Sequence, residues 1–218
     1  MLFGMTTLLI IITWIIPILL GITLHEAAHA WVANYLGDDT AKRLGRLSFN
    51  PFRHIDLVGT LLIPLFIAIV THYHFVFGWA KPVPINARNF KNPRRDEALI
   101  AAAGPIINLL MAIFWFLCFK LSVHYSLKIT SLSHFLFLCS QVGVLINLML
   151  IIINLIPIPP LDGSRILASI MSPKYAAQYM KIEPYGFIIL LVLLFSQILR
   201  LLIEPTLKWT FHFIQSFT

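Results

Sequence analysis

The chain has 218 residues, 59% of them hydrophobic and 11% charged, and its mean hydropathy is +0.86. An average soluble domain carries about 25% charged residues, so a water-soluble globule is excluded and a membrane-embedded chain is expected. The net charge of +7 does not point to nucleic acid, because the basic residues lie in loops beside apolar runs, where they set orientation.

A spanning helix needs about 20 mostly apolar residues, and Leu2–Leu24 supplies the first such run. No Lys or Arg precedes it and it is longer than the apolar part of a signal peptide, so Ala28-His29-Ala30 reads as helix and not as a cleavage site. The run leads into His25-Glu26-Ala27-Ala28-His29 and meets a predicted helix stop at Gly37. Leu57–Val70 is apolar but short, the length of a re-entrant piece. Phe77–Asn86, with Gly78, Val83 and alternating prolines, reads either as a short edge strand, open to an extended substrate segment, or as a plain loop. Leu99–Phe119 and Phe135–Ile158 are further spans, and Phe187–Ile203, which carries Ser196, Gln197 and Arg200, is taken as a fourth. The expected fold is an all-α polytopic membrane protein of about four to six membrane helices, with a re-entrant segment and a possible short β-edge. Residues 1–218 are expected to form one domain.

If Leu57–Val70 dips in and returns, the loops around 37–56, 76–96 and 158–184 share a face and hold 4, 5 and 3 of the Lys and Arg residues. The opposite face holds 4, namely Lys120, Lys128, Arg200 and Lys208. The positive-inside rule then makes this a multi-pass protein of the cell membrane whose basic loops and active-site side face the cytoplasm.

Cys118 and Cys139 both lie inside apolar runs, so any metal must rely on His and carboxylate ligands. His25 and His29 are separated by four residues, which places both imidazoles on one helix face, one turn apart, where they can meet a single tetrahedral zinc. Glu26 projects nearby and suits a general base acting on a metal-activated water, the mechanical content of the H-E-x-x-H pattern. Ionisable groups cost of order 2.5–3.5 kcal/mol each at the centre of a membrane helix, so three within five positions demand a partner. Catalytic zinc sites commonly take three protein ligands and leave one position open. Asp162 is the candidate third ligand. It follows Asn154-Leu-Ile-Pro157-Ile-Pro159-Pro160-Leu, where three prolines break the helix and Gly163 permits a turn. The alternative makes Asp162 an N-cap for a short helix beginning at Ser164.

Three blocks resemble the site-2 protease family of intramembrane zinc metalloproteases: His25-Glu26-Ala27-Ala28-His29, Ala103-Gly104-Pro105-Ile106-Ile107-Asn108, and Asn154-Leu155-Ile156-Pro157 through Leu161-Asp162-Gly163. Asn50-Pro51 with His54-Ile55-Asp56, and Gly78-Trp79-Ala80-Lys81-Pro82-Val83-Pro84, further resemble the compact bacterial members. The resemblance implies one zinc per chain on His25, His29 and Asp162, catalysis by Glu26, and membrane-anchored proteins as substrates within the bilayer. The length leaves no room for the PDZ domain of longer members. Asn108 and Asn154 either contact the substrate backbone or a developing oxyanion, or serve as interhelical glue. His54, His72 and His74 are expected to be solvated, and Gly104 to permit close helix packing. A membrane zinc transporter or a non-catalytic metal-binding scaffold would also use intramembrane His and Asp, but neither needs Glu26 between the ligands.

Overall fold

The computed structural model describes residues 2–70, 78–125, 131–196 and 198–216. Helix α1 runs without interruption from Leu2 to Tyr35, so the first apolar run and the His25–His29 motif share one rod. It stops where the sequence predicts, with Gly37 at φ +111°, a backbone conformation that only glycine adopts freely. A short helix α2 (Thr40–Arg43) follows, then a π-turn over Leu57–Leu62 that passes into α3 (Ile63–Val70). Helix α4 spans Pro93–Tyr125 and α5 Ser131–Asn154. Proline opens α4, and Asp96 in its first turn accepts the Asn92 N–H at 3.1 Å, satisfying a donor that the helix start leaves open. The prolines after Asn154 end α5, and α6 (Asp162–Ile170), α7 (Pro173–Met180), α8 (Gly186–Phe195) and α9 (Ile198–Gln215) complete the described chain.

Among the described residues, three helical stretches are long and apolar enough to cross a membrane: Ile11–Tyr35, Pro93–His124 and Ser133–Asn154. The fourth expected span, Phe187–Ile203, falls across α8 and α9 and includes Gln197, which lies outside the described residues. Helices α1, α4 and α5 pack on one another, and α6 packs on α4. Their contacts are made close by small residues. Ala27 of α1 is fully buried, Ala33 of α1 packs on Ile100 of α4, and Gly143 of α5 leaves the room that Trp115 of α4 fills. Without a hydrophobic drive between helices in lipid, such close approach is what holds a membrane bundle together. Large apolar side chains on α4, among them Ile106, Leu110, Phe114 and Leu121, point outward instead, as a lipid-facing stripe does.

The stretch Gly78–Asn86 forms no strand; Phe77 lies outside the described residues. The reason is where its donors go. Trp79 gives its N–H to the Gly59 carbonyl, Lys81 to His54, Val83 to Glu26 and Asn86 to Asp38, while Pro82 and Pro84 have none to give. An edge needs unspent N–H groups, and here most are used within the chain. Two buried side chains fix the stretch in place. Arg46 sends its guanidinium to the carbonyls of Arg53, Lys81 (2.7 Å) and Pro82 (3.4 Å). Asp38, at the end of α1, accepts from the Asn86 N–H and the Asn89 amide, each at 2.7 Å, and from Thr40. Burial pushes the Asp38 carboxyl up, and these hydrogen bonds outweigh it and hold it below its ordinary value.

Candidate active site

His25 and His29 stand one turn apart on α1, their rings 4.6 Å between centroids and perpendicular. Facing them, α4 contributes Ile100, Gly104 and Asn108, a stripe at four-residue spacing along one helix face. The Ile100 carbonyl lies 2.7 Å from His29 Nδ1, and Asn108 Oδ1 lies 2.6 Å from His25 Nδ1. A carbonyl oxygen can only accept, so each Nδ1 carries the hydrogen and each Nε2 presents a lone pair. Both Nε2 atoms point at one oxygen, Asp162 Oδ2, at 3.2 and 3.4 Å.

Asp162 reaches this point because α5 breaks at its prolines and α6 restarts at Asp162 itself. Asp162 is the first residue of α6 and Leu161 its N-cap, so the reading of Asp162 as an N-cap does not describe this structure. Burial pushes the Asp162 carboxyl up, and positive charge or a donated hydrogen at the facing imidazoles holds it down, so the carboxylate is stable here only with such a partner. Two lone pairs and a carboxylate oxygen converge, with the ligand atoms within 4.8 Å of one another and Asp162 Oδ2 buried without a hydrogen-bond donor of its own once both Nε2 atoms are bare. Such a cluster repels itself unless a cation sits between its members. Two His and one Asp form a donor set that fits zinc and leaves one position open.

The cluster lines a cavity of about 370 Å³ together with Glu26, Val83 and Asn154. The Val83 N–H donates to Glu26 Oε2 at 3.0 Å, so a backbone amide orients the carboxylate inside the cavity. Pro82 and Pro84 flank that amide and leave it the sole N–H of the three residues. Arg165, also in the lining, lies 3.9 Å from Glu97 and 3.6 Å from Glu183.

The model of peptidase family M50 matches residues 124–196. The chain is 39% identical over 199 residues to "Putative zinc metalloprotease YwhC" of Bacillus subtilis, an alignment covering 89% of this chain and 85% of that protein. The chain belongs to peptidase family M50. Two further relatives of this M50 peptidase carry the name "Putative zinc metalloprotease Rip2". The one from Mycolicibacterium smegmatis is 26% identical over 94% of this chain and 74% of its own length. The one from Mycobacterium tuberculosis is 26% identical over 88% and 70%. No solved structure matches the chain.

Within the M50 peptidase, His25, Glu26, His29 and Asp162 come together at one cavity, and Asn154 joins its lining with its amide nitrogen given to the Leu150 carbonyl at 2.9 Å. Asn108 stands behind His25 and does not line the cavity; it is fully buried and its amide nitrogen is spent on Gly21 and Asn147. His54 is buried with Nε2 on the Ser48 carbonyl, 2.8 Å away, instead of solvated, and it too stands outside the lining. His72 and His74 lie outside the described residues. Sequence reasoning missed Val83, Arg46 and Asn147. Asn147 carried a signal: it sits two turns before Asn154 on α5, and an amide in an apolar span must find a partner.

Proposed function

We propose that residues 1–218 form one membrane domain that hydrolyses peptide bonds of membrane-anchored proteins, with a single zinc held by His25, His29 and Asp162 and with Glu26 as the proton carrier. The chain is a membrane peptidase, its cofactor zinc, its substrates membrane proteins. The observation that carries the assignment is the convergence of two proton-free Nε2 atoms and one carboxylate oxygen on a point beside Glu26.

When bound, zinc supplies Lewis acidity toward the scissile carbonyl and acidifies the attacking water. Glu26, held by the Val83 amide, takes a proton from that water as its oxygen bonds to the carbonyl carbon. The same carboxyl then returns the proton to the amide nitrogen as the C–N bond breaks, so a free acid and a free amine leave. Burial in a cavity between helices keeps bulk water from competing for these hydrogen bonds. The basic loops before α3 and before α4, the second of which lines the cavity with Pro82, Val83 and Ile85, are assigned to the cytoplasmic side by their excess of Lys and Arg. A zinc carrier would use the same three ligands, but it has no use for a carboxylate tethered beside them, and the chain belongs to a family of peptidases.

Glu26→Gln tests the reading. The amide keeps the volume and leaves both imidazoles in place, but it cannot take the proton. Purified in detergent, the variant is expected to hold as much zinc as wild type by elemental analysis. It is expected to cleave a transmembrane test substrate about 10²–10⁴-fold more slowly. Wild-type cleavage by the variant would remove Glu26 from the chemistry, and cleavage that survives full chelation would remove zinc.

A further inference from the structure

We infer that Asn147, in the middle of α5 and away from the cavity, is a positioning residue for the metal: through Asn108 it dictates which nitrogen of His25 faces the site. This rests on the metal-site reading above and extends it to α5, a central span that supplies no ligand from its own turns.

Asn147 is fully buried among helices, where an unpaired amide is costly. Its Nδ2 donates to the Gly143 carbonyl at 2.8 Å. Its Oδ1 accepts from Asn108 Nδ2 at 2.9 Å, and the same Nδ2 lies 3.2 Å from the Gly21 carbonyl. Asn108 Oδ1 in turn faces His25 Nδ1 at 2.6 Å. An amide's nitrogen and oxygen are told apart by their partners, and here chemistry leaves no choice. Gly143 and Gly21 offer carbonyls that only accept, so each asparagine must turn its nitrogen toward its glycine. The Asn147 oxygen then has to face Asn108, and the Asn108 oxygen has to face His25. With an acceptor at Nδ1, the imidazole keeps its hydrogen there and its lone pair at Nε2, toward the metal. Two backbone carbonyls on α1 and α5 thus set a tautomer at the site through a relay of two amides. Removing Asn147 leaves the Asn108 nitrogen only the longer Gly21 contact at 3.2 Å, which weakens its hold against a turn that would place an NH₂ group against His25 Nδ1 and favour the wrong tautomer.

The test measures zinc, not turnover. Outer-shell partners of ligating histidines commonly govern affinity by about 10–100-fold, and a relay one residue further away is expected at the lower end. Asn147→Leu in the full-length protein in detergent is expected to weaken zinc about tenfold in chelator competition, and to shift the visible bands of the Co²⁺-loaded protein. Asn147→Asp keeps an acceptor oxygen toward Asn108 and is expected to retain both affinity and bands. If Asn147→Leu does not accumulate, Asn147→Ala removes the same acceptor with less bulk and is read the same way. In an Asn108→Leu background the Asn147 substitution is expected to cost nothing further, because the relay is already cut. Wild-type affinity and bands in Asn147→Leu, or additive losses in the double variant, overturn the relay. Absence of zinc binding by the wild-type protein, or full zinc retention by His29→Ala, would instead overturn the metal site itself.

Discussion

A methyl group at position 104 would lie 2.4 Å from His25 Cε1 and 2.6 Å from His29 Cε1. Neither imidazole can give way freely, since each is tied at Nδ1 to an oxygen of α4. The glycine therefore provides the space in which two proposed metal ligands lie, beyond the helix packing that its sequence context suggests. Gly104→Ala is expected to leave the helices assembled, because the surrounding bundle also rests on Trp115 and Phe119. It is expected to lower zinc affinity on the order of 10–100-fold, the range for disturbed support of metal ligands. Chelator competition checks this, and undiminished affinity would mean that the imidazoles do not pack on α4 as described. Gly163 plays the matching part for the third ligand: a Cβ there would meet the Leu155 carbonyl oxygen at 2.3 Å, so the turn that brings Asp162 in can close only on glycine.

Among the elements, the described stretch between α3 and α4 carries none of the proposed ligands and not the proposed base, yet it sets where Glu26 stands. Arg46 is buried and spreads its planar fork over the carbonyls of Arg53, Lys81 and Pro82, and the residue after Pro82 is the one whose N–H holds Glu26. Arg46→Met removes every donor of that clamp while keeping apolar bulk. The expected result is unchanged zinc content with hydrolysis slowed on the order of 10²-fold, the cost of misplacing a reacting group by about 1 Å. Arg46→Lys should recover only part of the rate, because a single ammonium cannot serve three carbonyls in a fork geometry. Elemental analysis beside single-turnover cleavage decides it; wild-type rates in Arg46→Met would mean that Val83 holds its place without the clamp. This division explains what the sequence could and could not reveal. His25, Glu26 and His29 were legible because their spacing is local to one helix, and Asp162 because prolines mark a broken helix end. Asn147, Arg46 and Val83 were not, because their meaning lies in the register between separate elements. The suggested β-edge failed for the same reason: the partners of its N–H groups are His54, Gly59, Glu26 and Asp38, all remote in the chain.

At the level of the whole molecule, topology turns on Leu57–Val70. Its π-turn of 6 residues and helix of 8 make 14 residues, about 21 Å at 1.5 Å per residue, against a hydrocarbon core about 30 Å thick. The chain on either side of it is joined. Lys81 donates to the His54 carbonyl, Trp79 to Gly59, Arg46 reaches Lys81 and Pro82, and Asp38 holds Asn86 and Asn89. These contacts support the proposal that the segment returns to the face it came from, which would also gather the basic loops on one side, in keeping with the positive-inside rule. Single cysteines at Phe52 and Arg88, both exposed, can report it in a chain whose Cys118 and Cys139 are replaced by alanine. A membrane-impermeant thiol reagent applied to sealed right-side-out and inside-out vesicles is expected to label both positions only from the cytoplasmic side. Labelling from opposite sides would require Leu57–Val70 to cross the bilayer, and would overturn both the re-entrant reading and the contacts that join the Arg46 clamp to the loop it grips.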